Sequence, residues 1–494
     1  MKQKKITHRA WPYIHLADCP KNEFCVYSID KKFFGEVMIL VKCLSAFMIV
    51  SFFVGCQSGT KLVQKEASDI ALDVKEKVYK NGLKVLVIEN PKFPIFSYYT
   101  YYLVGGKYEK PGITGASHYL EHMMFKGAKK YGLNIFDDII EGNGGNNNAY
   151  TSNDLTVYYE NLPSHALNLI IDVEADRMQN LLLEKNAFEQ ERKVILEERR
   201  MRYENSDRGK IYLGMMQNMF EKTPYGTSVI GSIKDLKTVS RDQIFEYFKN
   251  YYAPNNAVIV IAGDVDADDV FDEIDQKFGK IPPSENLQEI KDKAFVESDF
   301  EFQGKYNRWV KLNGSSPNPK FMLAYQGVKI GTNDGFVLDI LSSILGTGES
   351  SYLSKEFVLN HKPKLAGVYA ANYTLQESGV FFIGGELLGA TNLSTFKRDL
   401  YRTVKKSCDL SITKRAVQKV KNQYLLGMVS GLDTNAGLAR FIGDREVHYK
   451  DYNFYKKEMD IYDAISVDEL KKKCVEYLKP ERSIFLSIWN KHAK

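Results

Sequence analysis

The segment Ser240-Arg-Asp-Gln-Ile-Phe-Glu-Tyr-Phe-Lys-Asn-Tyr-Tyr-Ala-Pro254 is echoed 226 residues later by Ser466-Val-Asp-Glu-Leu-Lys-Lys-Lys-Cys-Val-Glu-Tyr-Leu-Lys-Pro480. In each copy the serine can accept from the amide three residues on, and Gln243 or Glu469 can reach back, so both read as capping boxes that open a helix. Each helix runs to a tyrosine, Tyr251 or Tyr477, and gives out before Pro254 or Pro480, and an apolar strand follows at residues 258–262 and 484–488. Ser240 and Ser466, Asp242 and Asp468, Tyr251 and Tyr477, and Pro254 and Pro480 all keep the same spacing. A period this long marks a duplicated domain rather than a solenoid unit. Between the copies, residues 279–294 carry Pro282, Pro283 and mixed charges, the composition of a linker. The reading is therefore a domain over 75–281, a linker over 282–300 and a homologous domain over 301–494. Each half mixes strands such as residues 84–88 with amphipathic helices, an α/β pattern, and 44% apolar residues in a chain of 494 supply a sizeable core.

The first half holds what the second lacks. Residues 118–122 read His-Tyr-Leu-Glu-His. Positions four apart on an α-helix lie about 40° apart around the axis and one turn along it, so His118 and His122 can grip one ion. Glu121 sits beside the second histidine, placed to take a proton from a water without itself being a ligand. The order is that of the inverted His-x-x-Glu-His motif, a zinc-site signature. A catalytic zinc takes three protein ligands and keeps a fourth position open, so a third must come from elsewhere. Residues 186–203 contain no Gly or Pro and read as a helix, on which Glu191, Val194, Ile195 and Glu198 share a face. Carboxylates on a stripe with Val and Ile need a cation or hydrogen-bond partners. A solvated acidic helix with i,i+4 pairs is the other reading of that segment. The second half has no such motif, and its histidines are His361, His448 and His492, which predicts one metal site per chain.

The run Gly-Ile-Thr-Gly-Ala-Ser-His-Tyr-Leu-Glu-His-Met-Met-Phe-Lys-Gly at 112–127 resembles the active-site helix of the pitrilysin family, which includes insulin-degrading enzyme and mitochondrial processing peptidase. The likeness continues through Gly144-Gly145, Asn148-Ala149-Tyr150-Thr151 and Glu-Arg-Lys-Val-Ile-Leu-Glu-Glu at 191–198, and it spans nearly all of residues 75–494. The resemblance implies His118, His122 and Glu198 as ligands of one zinc ion, Glu191 as an acid that orients the site, and Glu121 as the general base of peptide hydrolysis. It implies two tandem α+β domains, each a mostly antiparallel sheet packed with helices, closing like a clamshell on a chamber that favours peptides and unfolded segments. Asn148 and Ala149 would lie on an edge strand that holds substrate backbone. Many members also place an arginine and, seven residues later, a tyrosine in a later domain to bind the substrate carbonyl. Here Val358 stands where the arginine should be, with Tyr369 as a substitute for the tyrosine, so a homologous second subunit is expected to supply the pair. A non-catalytic family member, holding the fold as a scaffold or partner subunit, is the alternative function.

The amino terminus bears on location. Residues 38–54 are apolar apart from Lys42 and a few small residues, and Gly55-Cys56-Gln57-Ser58 follows, which resembles a bacterial lipoprotein signal with Phe53 in place of the usual leucine. Lead-in and signal would occupy 1–55, with the true start at Met38, a lipid on Cys56, a tether over 56–74 and the enzyme membrane-anchored in the periplasm. Loss of residues 1–55 takes 8 of 67 basic and 4 of 62 acidic residues and leaves a net charge of +1, which gives nucleic-acid binding no compositional support. Of six cysteines, Cys408 and Cys474 would remain beside Cys56, and sequence leaves their pairing open. The glycine-rich Gly346-Thr-Gly-Glu-Ser-Ser351 lacks the lysine of a phosphate-binding loop.

Overall fold

The duplicated segments carry the same structure in both places. The helix Arg241–Tyr251 opens on Ser240 with both hydrogen bonds of its capping box formed. The helix Val467–Tyr477 opens on Ser466, which accepts from the Glu469 amide at 3.1 Å. The reciprocal bond, from Ser466 N to the Glu469 side chain, is not formed, so only half of the second capping box is present. In both copies a turn at the proline leads into a central strand, Ala257–Gly263 or Ser483–Trp489, again 226 residues apart.

The structure is a computed structural model, and it describes residues 71–295, 300, 306–389 and 391–490. The signal sequence, Met38, Cys56 and almost all of the tether lie outside the described residues. Its strands are β1 (Lys75–Val78), β2 (Lys84–Glu89), β3 (Ile95–Tyr102), β4 (Gly127–Ala128), β5 (Gly132–Leu133), β6 (Asn146–Thr151), β7 (Thr156–Pro163), β8 (Ala257–Gly263), β9 (Arg308–Asn313), β10 (Lys320–Gln326), β11 (Leu365–Thr374), β12 (Gly379–Leu387) and β13 (Ser483–Trp489). The first sheet runs β1-β2-β8-β3-β7-β6 and the second β11-β12-β10-β13-β9. Read from the β6 and β11 edges, the two orders correspond strand for strand, with β1 an addition to the first. In each, one pair is parallel, β2 with β8 and β9 with β13, and the other pairs are antiparallel. The duplication and the mostly antiparallel sheets are thus present as expected.

Side chains alternate along a strand, so each sheet has two faces to cover. One face packs on helices of its own half: Val85, Val87, Tyr98, Ile259 and Ile261 meet Leu120, Met123, Ile244 and Phe248. In the second half Phe321, Leu323 and Phe485 meet Leu341, Leu400 and Leu470. The other faces are covered by exchange. The helix Asp207–Met219 of the first half lays Met215, Met216 and Met219 on Met322, Ile484 and Leu486 of the second sheet. Reciprocally, the helix Asn435–Tyr449 lays Leu438 and Ile442 on Leu86, Tyr101, Val258 and Val260 of the first. Each of these buried side chains contributes roughly 1.5–3 kcal/mol, so the exchanged helices bind the halves together. Gly443 permits the approach, because a Cβ there would lie 2.4 Å from the Tyr101 ring.

Cys408 and Cys474 form a disulfide that joins the helix Leu393–Leu410 to Val467–Tyr477. The stretch read as a linker holds a short helix, Leu287–Asp292, packed through Leu287 and Ile290 on the first half's core. Among the described residues no helix is long and apolar enough to cross a membrane.

Candidate metal centre

Two helices build the site. The first, Ala116–Met124, starts at Gly115, whose φ of 92° lies in the left-handed region and whose Cβ, were there one, would sit 2.5 Å from the Ile230 carbonyl oxygen. Its free N-terminal amides are taken by the buried Glu109 carboxylate, which accepts from Gly115 N at 2.5 Å and Ser117 N at 2.8 Å. Burial pushes the Glu109 carboxyl up to about 7 against the pull of those two amides. The second helix, Lys185–Arg199, is capped by Glu184, which accepts from Ala187 N at 2.8 Å. The Tyr119 ring stacks on Phe188 at 4.4 Å and its hydroxyl donates to the Phe188 carbonyl, fixing one helix against the other.

That registration brings three of the expected residues together. Glu198 Oε2 lies 3.5 Å from His118 Nε2 and 3.4 Å from His122 Nε2. One ligand atom from each of the three residues can be chosen within 4.8 Å of the others. Ligands at about 2.0–2.1 Å from a tetrahedral zinc are about 3.4 Å apart along each edge, so the two nitrogen–oxygen separations have the size such an ion requires. Two nitrogens and one carboxylate oxygen also match the donor chemistry of a catalytic zinc. The rings of His118 and His122 sit 4.8 Å apart at 61°, both turned to the same point.

The surroundings prepare these donors. His122 Nδ1 lies 3.0 Å from Glu191 Oε2, and the other Glu191 oxygen pairs with Lys126 Nζ at 2.8 Å. An Nδ1–H donated to Glu191 would leave the Nε2 lone pair free for a metal ion, whereas the protonated ring, which burial opposes but the hydrogen bonds with Glu198 and Glu191 favour, donates from both nitrogens. Burial, then the neighbouring His122, holds the His118 imidazole down at about 4, so it is neutral near pH 7, as a ligand must be. The hydrogen bond with His122 foremost holds Glu198 below the usual carboxylate range, and its other oxygen pairs with Arg202 at 2.9 Å. Glu121 is raised by burial, opposed by the Thr151 hydroxyl, which donates to Glu121 Oε2. Sequence alone gives no role to Glu109, Tyr119, Lys126 or Thr151; the last three stand inside the family-like motifs, but nothing in the spacing speaks of their partners.

One expectation changes. Glu191 and Ile195 are buried, but Val194 is 48% exposed, so the apolar stripe is narrower than its spacing suggests. Val194 lines a trough of about 710 Å³ with Lys193, Glu197, Glu198, Met201 and Arg202. Past Arg199 the helix continues as a π turn, Arg200–Glu204, where the sequence reads as continuous α-helix.

Asn148 and Ala149 lie on β6, the outermost strand of its sheet, where Asn148 is exposed and its Oδ1 accepts from Ala149 N at 2.8 Å. Val358 ends the helix Tyr352–Phe357 and packs on the second core. Tyr369 is 46% exposed on β11, its ring edge-on to Phe382 at 6.1 Å.

Residues 84–232 match the family model described as Insulinase (Peptidase family M16), and residues 238–424 match Peptidase M16 inactive domain. The zinc protease PqqE of Helicobacter pylori is 29% identical over 417 residues, which cover 82% of this chain and 90% of the relative. The mitochondrial-processing peptidase subunit beta of Lentinula edodes is 26% identical over 413 residues, 81% of this chain and 86% of that one. Among solved structures, a protease from Helicobacter pylori superposes with a TM-score of 0.78 at 24% identity, over 85% of this chain and all of its own.

Proposed function

The chain belongs to the M16 peptidase family, and on that premise we propose that it is a zinc-dependent endopeptidase acting on peptides or unfolded segments. The observation that carries this reading is the meeting of His118, His122 and Glu198 around a volume of zinc's size, with the Glu121 carboxylate on the same helix. When bound, zinc supplies positive charge that polarises the scissile carbonyl and makes water acidic enough to lose a proton near neutral pH. Glu121 takes that proton and returns it to the leaving amine, and the burial that raises its carboxyl suits it to both transfers. Glu191 holds the His122 ring in the tautomer that ligation needs. An extended substrate adds to the free edge of β6, where Asn148 and Ala149 hold its backbone. For this to happen the Asn148 side chain gives up the Ala149 amide.

The same reading assigns residues 75–281 as the catalytic domain, 282–300 as linker and 301–494 as a homologous domain without zinc. Val358 in place of the expected arginine favours a homologous second subunit that supplies an arginine and tyrosine to the substrate carbonyl. Removal of one such stabilising contact costs about a hundredfold in rate, the deficit proposed for the isolated chain. The lipoprotein-type signal supports a lipid on Cys56 and a location at the membrane facing the periplasm, where a Cys408–Cys474 disulfide would persist.

Metal analysis with a peptide-cleavage assay on wild type and Glu121→Gln tests the central claim. The expected result is about one zinc in each form and turnover in wild type only, reduced at least a hundredfold by the substitution. Zinc without turnover in either form, with a homologous subunit present, would show a scaffold instead.

A further inference from the structure

Among the described residues, Glu121 receives one hydrogen bond on its carboxylate, from the hydroxyl of Thr151. Thr151 is the last residue of β6, paired with Thr156 at the start of β7, so its position depends on the turn at 152–155. That turn is closed internally: Ser152 N donates to the Leu155 carbonyl at 2.8 Å, and Ser152 Oγ accepts from Asp154 N at 3.2 Å and Leu155 N at 3.0 Å. Gly106 N and Lys107 N hold its Ser152 and Asn153 carbonyls at 3.1 and 2.9 Å.

Its outer side is held by the other half of the molecule. Asp154 Oδ2 accepts from Gln376 N at 3.1 Å, and Asp154 Oδ1 accepts from Tyr225 OH at 2.6 Å. The same Tyr225 oxygen accepts from Glu377 N at 3.2 Å. Lys107, 1% exposed, donates to Gln376 Oε1 at 2.7 Å and Glu377 Oε1 at 2.8 Å and lies 3.2 Å from Asp154 Oδ1. Gln376 and Glu377 form the tip between β11 and β12. Withdrawal of the tip would strip a buried ammonium of partners, which is costly, so turn and tip are held as one unit.

We propose that Thr151 is a positioning residue for Glu121, and that the second half holds it in place through the tip at 376–377. The role given to Glu121 rests on the peptidase reading above. The half without zinc-binding residues thereby acts on the chemistry of the half that has them: docking of the tip fixes the turn, the turn fixes Thr151, and Thr151 aims the carboxylate. Because Thr151 ends the strand on which substrate would add, peptide binding and base alignment share one element.

The test uses the full-length, zinc-loaded chain and a fluorogenic peptide. Thr151→Val keeps shape but loses the hydroxyl, and should lower kcat by about 10–100-fold with zinc content intact. KM should stay within about twofold and Thr151→Ser should recover most of the rate, a split that a merely structural role would not give. Glu377→Gln, a substitution at a partly exposed side chain, should slow wild type but add nothing on top of Thr151→Val. Independently of turnover, Glu377→Gln should speed amide hydrogen exchange at residues 152–155. The proposal is overturned if Thr151→Ser is as slow as Thr151→Val, if the Glu377 and Thr151 effects add, or if exchange at 152–155 is unchanged. A zinc-loaded wild type with no cleavage even in the presence of a homologous subunit would bring down the peptidase reading and the positioning role with it, while hydrogen exchange would still report on the tip.

Discussion

At the scale of single residues, the motif was legible because its geometry is local. His118, Glu121 and His122 share a helix face by spacing alone; composition announces the helix that carries Glu191 and Glu198, but only the family resemblance singles out their roles. Glu109, Thr151 and Lys107 act across folds of chain that no periodicity records, and each is a polar group whose role is set by what buries it. Glu109 shows what such burial does to stability. Its carboxyl is lifted from an ordinary 4.5 to about 7 in the folded chain, so between those values the folded state holds a proton that the unfolded state has lost. The stabilisation is complete below about pH 4.5 and disappears as pH rises through 7, worth up to about 3 kcal/mol in all. Urea midpoints should therefore fall from pH 5 to pH 8 more steeply in wild type than in Glu109→Gln, which has no proton to lose at that position. Equal slopes in the two proteins would remove Glu109 as the cause.

At the scale of elements, caps and strands were readable, and the partners of helices were not. Ser240, Ser466 and the prolines that end each repeat mark boundaries to within a residue or two, because capping is a matter of three or four neighbouring positions. The strand at 257–263 is apolar on both faces and that at 483–489 nearly so, with only Ser483 and Ser487 polar, which signals burial from two sides. It does not say that the second cover comes from the opposite half. The stretch 279–294 read as linker because prolines and charges dominate it, yet four apolar positions sufficed to dock a short helix at Leu287 and Ile290. The exchanged helix Asn435–Tyr449 owes its close approach to Gly443 above the Tyr101 ring. Gly443→Val places branched carbons where that ring stands, and overpacking of this kind costs about 1–3 kcal/mol. A lowered denaturant midpoint with an unchanged slope would show it, and an unaltered midpoint would mean that the ring moves freely aside.

For the molecule as a whole, the 226-residue repeat revealed two related halves but not their dependence on each other. Each sheet has one face covered by its own helices and the other by a helix borrowed from its counterpart, through Met215 and Met219 in one direction and Leu438 and Ile442 in the other. A half expressed alone would turn Leu86, Ile88, Val258 and Val260 out to water, and at about 25 cal/mol per Å² of apolar area this is many times the usual margin of stability per residue. The buried Lys107 would lose Gln376 and Glu377 at the same stroke. Residues 71–281 produced alone should accordingly aggregate or bind a hydrophobic dye, whereas the same segment produced together with 300–494 should give a soluble complex that regains zinc. A soluble, cooperatively folded 71–281 with native exchange protection in β2 and β8 would show that the exchanged helices merely decorate two independent domains. In that event the control of Thr151 by the 376–377 tip would lose its physical basis as well, since the tip acts only while the borrowed helices keep the halves in register.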